Sequence, residues 1–417
     1  MTDFALPAGQ PASVPNRDLK VMVLIGAAHG CSHFFQLVLP SLFPWLKDAF
    51  QVSYTELGLI TTCFYVISGT LQTPAGFLVD RIGARTVLIG GLAIFCLGIL
   101  LLSVVPVYWM LFPVMLLAGL GNCVFHPADY SILSASIDSK RLGVAYGSHT
   151  FAGNLGWALA PAMMGGVAAF AGWHFAPLIA GIIGLVILAA LILNRNLLRD
   201  DAGSSRRNAG KQGQAVPAPL PFGAILTLPV VMCFFYFMFT SIVAIGLQNF
   251  LPATLQTLFG TPLAIGTSAL TGFLLASAVG IMSGGWVADR GIPVEVIVVG
   301  GLLISAALML VVALLPLPAA LLVACVAGAG FLFGFTTPSR DLIVRGATPK
   351  GASGRVFGFV YSGLDAGSAL VPLIIGQLLD HGHADKVLLF VAAILACGSV
   401  TAFTVRRKSQ AATAAAE

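Results

Sequence analysis

His29, His33 and Gln36 stand at i, i+4 and i+7 in an apolar stretch, so on a helix they share one face. Two imidazoles so placed can bind an anion or relay a proton. HxxxH spacing also suits a metal, but no third ligand is evident in the sequence, and no metal is expected there. The plainer alternative is a pair of rings hydrogen-bonded to helix neighbours. His126 and Asp129 stand at i, i+3 around Pro127, which weakens a helix and frees a carbonyl. A carboxylate beside an imidazole can act as a proton-coupling pair or as a structural polar pair. Thr337-Pro338-Ser339-Arg340-Asp341 puts an arginine and an aspartate into another apolar stretch. Asp365 stands alone between Gly363 and Gly367, either as a second proton site or as a hydrogen-bonded structural acid. His149 and Asn154 share one stretch, and Tyr236, Thr240, Gln248 and Asn249 share another, with Gln248-Asn249 just ahead of Pro252. Phe35, Trp157 and Tyr361 read as ordinary interior or interfacial aromatics.

These groups carry weight because charge is scarce. Among 417 residues there are 21 Lys and Arg and 16 Asp and Glu, with 58% hydrophobic and 9% charged. Soluble domains are about 25% charged, and the mean hydropathy here is +0.96. That balance excludes an ordinary cytosolic enzyme, a disordered tail protein and a nucleic-acid binder. An ionisable group at bilayer depth costs about 2.5–3.5 kcal/mol, so such groups are seldom idle. The seven cysteines lie in apolar runs without a CxxC pair, which reads as buried hydrophobes rather than a disulfide or zinc framework. Residues 1–20 do not read as a cleavable signal peptide. Walker A, GxGxxG, GxSxG and HExxH patterns are missing, so no cofactor is expected, and any work done across a membrane would draw on an ion gradient. The acids are too few and scattered for a sodium cage, which leaves protons as the simpler coupling ion. His381 and His383, with Asp380 and Asp385, read as a solvated loop.

The elements that must position these side chains are membrane helices. Apolar runs of spanning length lie at about 21–46, 54–79, 86–106, 109–134, 143–168, 174–194, 222–250, 264–288, 294–315, 318–343, 354–378 and 385–405. The expected fold is an all-α membrane protein of twelve transmembrane helices. Residues 1–194 form an N-terminal six-helix bundle, 195–220 a polar, basic cytoplasmic linker, and 221–417 a C-terminal six-helix bundle. With both termini cytoplasmic, all of the 21 Lys and Arg fall inside except Lys47, Lys386 and the intramembrane Arg340. The reverse orientation violates the positive-inside rule at almost every loop.

The halves repeat. Gly76…Asp80-Arg81 returns as Gly285…Asp289-Arg290, Gln36 and Pro40 as Gln248 and Pro252, and Pro127 as Pro338, at nearly one offset. Duplicated halves place a transporter's site between them, near the midplane. Asp129 then occupies the position Arg340 takes in the second half, and Asn154 that of Asp365. Repeat symmetry predicts an Asp129–Arg340 ion pair across the cytoplasmic entrance, closed when the carrier faces outward and broken when it faces inward. His149 lies near enough to join it. Arg340 can instead pair with Asp341 or bind an anionic substrate.

Gly76, Asp80, Arg81, Gly83 and Arg85 spell GxxxDRxGxR, which resembles the signature loop of the major facilitator superfamily, and the resemblance covers the whole chain. It implies two pseudo-symmetric bundles and a loop that latches one access state. The second copy, Asp289-Arg290, lacks the last arginine. A narrower resemblance is to the fosmidomycin-resistance branch of bacterial facilitators. It rests on His29, Gln36, Leu71-Gln72-Thr73-Pro74, Phe125-His126-Pro127 and Gly153-Asn154-Leu155-Gly156. That branch tends to carry Asn-Asp where this chain has Ser32-His33, and an acid in place of Ala128. The resemblance implies proton-coupled export of a small anionic or amphiphilic compound across a bacterial inner membrane by a monomer. On this reading His29, His33, Gln36, Asn154, Tyr236, Gln248, Asn249 and Tyr361 bind substrate. His126, Asp129 and Asp365 couple protons, while Asp129, Arg340, Asp341 and His149 form the gate. Proton-linked uptake of a small carboxylate is the alternative. A non-transporting sensor predicts a lost gate loop or an added soluble domain, and neither is seen.

Overall fold

The computed structural model describes residues 15–138, 141–199, 226–288, 292–347 and 353–414. Helices carry nearly all of them, and no strand occurs among the described residues. The first half comprises α1 (Pro15–Gln36), α2 (Val38–Ser41), α3 (Phe43–Phe50), α4 (Tyr54–Ile82), α5 (Ala84–Leu102), α6 (Leu111–Asn122), α7 (Phe125–Ser136), α8 (Leu142–Ala171) and α9 (Phe175–Leu193). The second comprises α10 (Leu228–Phe259), α11 (Leu263–Ala288), α12 (Val294–Leu314), α13 (Ala319–Phe335), α14 (Thr337–Ala347), α15 (Ser353–Asp380) and α16 (Ala384–Ala414). Among the described residues, 10 helical segments are long and apolar enough to cross a membrane. The helices α1 and α4 are not among them: His29, His33 and Gln36 dilute the first, and threonines with Gln72 and Glu56 dilute the second.

Proline sets the irregularities. The first apolar run breaks at Leu37 and Leu42, beside Pro40 and Pro44, and continues as α3 to Phe50, beyond the expected end. The helix pair α6/α7 is interrupted at Cys123 and Val124, just ahead of Pro127. Its repeat α13/α14 is interrupted at Thr336, just ahead of Pro338. Each proline removes an amide donor and crowds the carbonyl four residues back. In contrast α10 runs through Pro252 to Phe259 rather than ending near 250.

Close helix crossings bring polar faces together. A Cβ on Gly156 of α8 would collide with the Gly30 carbonyl of α1, so only glycine permits this approach. The two halves meet along α4 and α15. The Tyr54 and Thr55 amides donate to Asp380 Oδ1 and Oδ2 at 2.8 and 2.7 Å, and Thr62 Oγ1 donates to the Ala369 carbonyl at 2.8 Å. The start of α4 is further held by a capping box between Ser53 and Glu56. These bonds lie at the end of the molecule away from the starts of α1 and α10.

At the opposite end, the stretch expected to open the linker is packed. Leu198 is buried, and Arg199 N–H donates to Ser136 Oγ at 3.0 Å. Arg17 and Arg85 donate to the carbonyls of Leu197 and Arg195 at 3.0 and 3.2 Å, as cations do at a helix C-terminus. Residues 200–220 of the expected linker lie outside the described residues.

Candidate functional site

The floor of the site is the crossing of α1 and α8. Gly153 faces the histidines of α1, and a Cβ there would stand 2.6 Å from His33 Nδ1 and 2.9 Å from His29 Cδ2. Its bare backbone is what lets both rings lie between the helices. The break before α7 then turns Asp129 toward them. His29, His33, Asp129 and His149 are all buried, Asp129 at 0% exposure.

Asp129 is the centre of the group. His149 Nε2 and Asp129 Oδ2 share a hydrogen bond of 3.0 Å, and His29 Nδ1 lies 3.2 Å from the same oxygen without hydrogen-bonding alignment. Asp129 Oδ1 has no hydrogen-bond partner. The His29 and His149 rings stack with centroids 3.5 Å apart, and His33 and His126 lie 4.3 and 5.3 Å from His29. His126 itself opens onto the space beside Tyr130, which is 40% exposed. Among the described residues no arginine or lysine pairs with Asp129, and a fully buried carboxylate so placed calls for a cation from its surroundings. Four imidazoles within reach can take up and pass protons.

A second network adjoins the first. Trp157 stacks on His33 at 4.1 Å and donates Nε1–H to Gln36 Oε1 at 3.0 Å. Gln36 Nε2 donates to Asn122 Oδ1 at 3.2 Å, and Asn122 Nδ2 donates to Ser68 Oγ at 2.7 Å. This chain ties α8, α1, α6 and α4 together. Sequence reasoning misses Asn122 and Ser68 as site residues and reads Trp157 only as an ordinary aromatic. A carboxamide inside an apolar run is the one signal for Asn122.

The structure gathers His29, His33, Gln36, His126, Asp129 and His149, and leaves the other expected residues elsewhere. Asn154 donates Nδ2–H to the Thr150 carbonyl of its own helix at 2.9 Å. Arg340 lies over the Phe237 ring with Cζ 4.3 Å from its centroid, a cation–π arrangement, and Tyr361 packs 5.0 Å from the same ring. The expected Asp129–Arg340 pair is not formed here, because Asp129 Oδ2 is turned to the two histidines. Asp365 meets α4, where a Cβ on Gly69 would stand 2.9 Å from Asp365 Cγ. Tyr236 is buried in the second half. Gln248 and Asn249 are buried at the Asp380 end, in a pocket between the halves with Pro40, Ser41, Pro161 and Pro252. Of the signature loop, Gly83 adopts φ +98°, which favours glycine, and starts α5. Gly76 packs against Pro127, Arg81 is exposed, and Arg85 holds the end of α9. Asp289 and Arg290, and the side chains of Asp80 and Asp341, lie outside what the structure describes.

A helical chain with repeated proline breaks, and with polar clusters buried among apolar helices, is built as a membrane carrier. The family model of the Major Facilitator Superfamily matches residues 25–269 and 241–417. The chain belongs to that superfamily of transporters, and it is not an enzyme. It is similar to the fosmidomycin resistance protein of Escherichia coli (strain K12), with 24% identity over 405 residues, 95% of this chain and 96% of that one. A probable L-galactonate transporter of the same organism is 24% identical over 86% of this chain and 81% of its own. Among solved structures, a bacterial homolog of the human lysosomal transporter Spinster, inward-facing and occupied, superimposes with a TM-score of 0.75. At 13% identity, with 95% of this chain and 98% of that one covered, it shares the fold.

Proposed function

We propose that the protein is a proton-coupled secondary transporter that moves a small organic anion across the bacterial inner membrane by alternating access. In this reading twelve helices form bundles 1–194 and 221–417, joined by the cytoplasmic linker 195–220, with both termini cytoplasmic and a monomer as the working unit. The observation that carries it is Asp129, fully buried, with His149 and His29 at 3.0 and 3.2 Å and no arginine or lysine paired with it among the described residues. That is a place where a proton can be taken up and released as the bundles rock. Asp365 against α4 supplies a second carboxylate at the seam. Arg340, over Phe237, attracts the anion, and it meets Asp129 when the Asp129 end closes.

The bonds of Asp380 to α4 hold that end together, which supports reading this conformation as the one open at the other end, toward Asp129 and His126. Export by proton antiport is favoured by the likeness, along nearly the whole chain, to the fosmidomycin resistance protein. The likeness to the probable L-galactonate transporter favours the second reading, uptake of a sugar acid with protons. Flux of fosmidomycin and of L-galactonate in proteoliposomes with an imposed proton gradient tests both. Gradient-driven flux of either, abolished in Asp129→Asn, is expected. Flux indifferent to the gradient, or intact in that variant, sinks the coupling assignment.

A further inference from the structure

The same cluster has a donor set that protons alone do not account for. His29 Nδ1, Asp129 Oδ2 and His149 Nε2 all lie within 4.8 Å of one another. The two nitrogens approach the oxygen at 3.2 and 3.0 Å. Donors about 2.0–2.2 Å from one ion stand roughly 3.0–3.5 Å apart at near-tetrahedral or octahedral angles, so both separations fit a shared metal.

Two independent features point the same way. The His29–Asp129 approach is close but not a hydrogen bond, as expected of lone pairs aimed at a common point, and Asp129 Oδ1 is fully buried without a partner. Neutral imidazole nitrogens with one carboxylate are donors for borderline divalent ions such as Zn2+, Co2+, Ni2+ and Fe2+, whereas Mg2+ and Ca2+ prefer all-oxygen shells.

We propose that His29, Asp129 and His149 form a binding site for a divalent transition-metal ion. Three protein donors leave coordination positions open to water or to a ligand in the adjoining space. The ion competes with protons for the same lone pairs. Held by one carboxylate, it leaves the site with net positive charge, which suits an anionic substrate. Only this last point rests on the proposed substrate class.

The test is titration of the purified full-length protein, free of affinity tag, with Co2+ followed by its visible d–d bands, and with Zn2+ by calorimetry. One ion per chain is expected. Affinity should fall more than about 100-fold in His149→Gln and in Asp129→Asn, beyond the roughly 10–100-fold effect of an outer-shell change. It should be unchanged in the His381→Gln/His383→Gln double variant, which removes the exposed loop histidines. Should either cluster variant fail to fold, His29→Gln and the wild-type Co2+ band intensity decide the same question, because an all-water or surface site gives weak octahedral bands. No tight ion on the wild type, affinity unmoved by the cluster variants, or affinity lost in the loop variant each overturns the site. Binding is measured without transport, so its failure leaves the flux reading standing, and absent flux with intact metal binding leaves the metal site standing.

Discussion

Asp380 closes one end of the molecule, and removing it should open that end. It is the last residue of α15, yet its two oxygens accept the first two amides of α4 in the other half, Tyr54 at 2.8 Å and Thr55 at 2.7 Å. These amides have no intrahelical partner, and they sit at the positive end of the α4 dipole. A hydrogen bond to a charged group contributes about 1.5–3 kcal/mol when shielded. Asp380 is exposed, and screening lowers the pair together to about 1–2 kcal/mol. Because the bonds exist only when the halves touch, that energy biases the closed state, and each 1.4 kcal/mol changes the closed-to-open ratio about tenfold. Asp380→Ala should therefore raise the open population about 5- to 30-fold, with Asp380→Asn between, since it keeps one acceptor but loses the charge. Ala253 reports the opening. It is 1% exposed and lines the pocket between the halves. In an Ala253→Cys background, the rate of modification by a bulky thiol reagent should rise by the same factor. An unchanged rate in Asp380→Ala would refute the clasp, as would a rise that appears only on thermal unfolding.

Three further outcomes follow from packing. Gly153→Ala should lower stability by about 1–3 kcal/mol in thermal unfolding, because its Cβ stands 2.6 Å from His33 Nδ1. Gly147→Ala on the same helix, with nothing within 4 Å, should be neutral or slightly stabilising. Trp157→Phe should cost about 1–3 kcal/mol by stranding Gln36 Oε1. Paired with Gln36→Leu, its effect should be non-additive in a double-mutant cycle. Gly83→Ala should cost roughly 1–3 kcal/mol because φ +98° is strained for any residue with a Cβ.

Much of the helical layout was legible because apolar runs and their breaks are local. Proline marks the places where a break can occur, as before Pro127 and Pro338, but Pro74, Pro161, Pro252 and Pro372 all lie inside continuous helices. The path of α10 through Pro252 was not legible, since its neighbours, not its propensity, keep the helix continuous. In the site, the shared face of His29 and His33 could be read from spacing. Repeat symmetry also put His149 near enough to join Asp129, but it did not give their contact. That contact depends on how far α8 slides along α1, and that is set by Gly153 and Gly156 against His33 and the Gly30 carbonyl. Sequence symmetry tied Asp129 to Arg340 because it compares positions between halves. It carries no information on which partner within a half is nearer, and there His149 prevails at 3.0 Å.

The duplication separates what supports the fold from what does chemistry. Backbone contacts recur: Gly76 lies against Pro127 and Gly285 against Pro338, with Cβ approaches of 3.9 and 3.8 Å. Gly156 is fitted to the Gly30 carbonyl and Gly367 to that of Met238. The side chains carried on this shared frame diverge. Where the first half places Asp129 and its histidines, the second places Arg340 over Phe237. Where the first places Asn154, the second places Asp365. One half thus seeks a cation and the other holds one, on equivalent helices at the end away from Asp380. Opposed charges so placed attract when that end closes. Whatever occupies Asp129, a proton or a metal ion, weakens that attraction, while an anion at Arg340 weakens it from the other side. In the proposed cycle, occupancy and closure are then linked through the Asp129–Arg340 attraction.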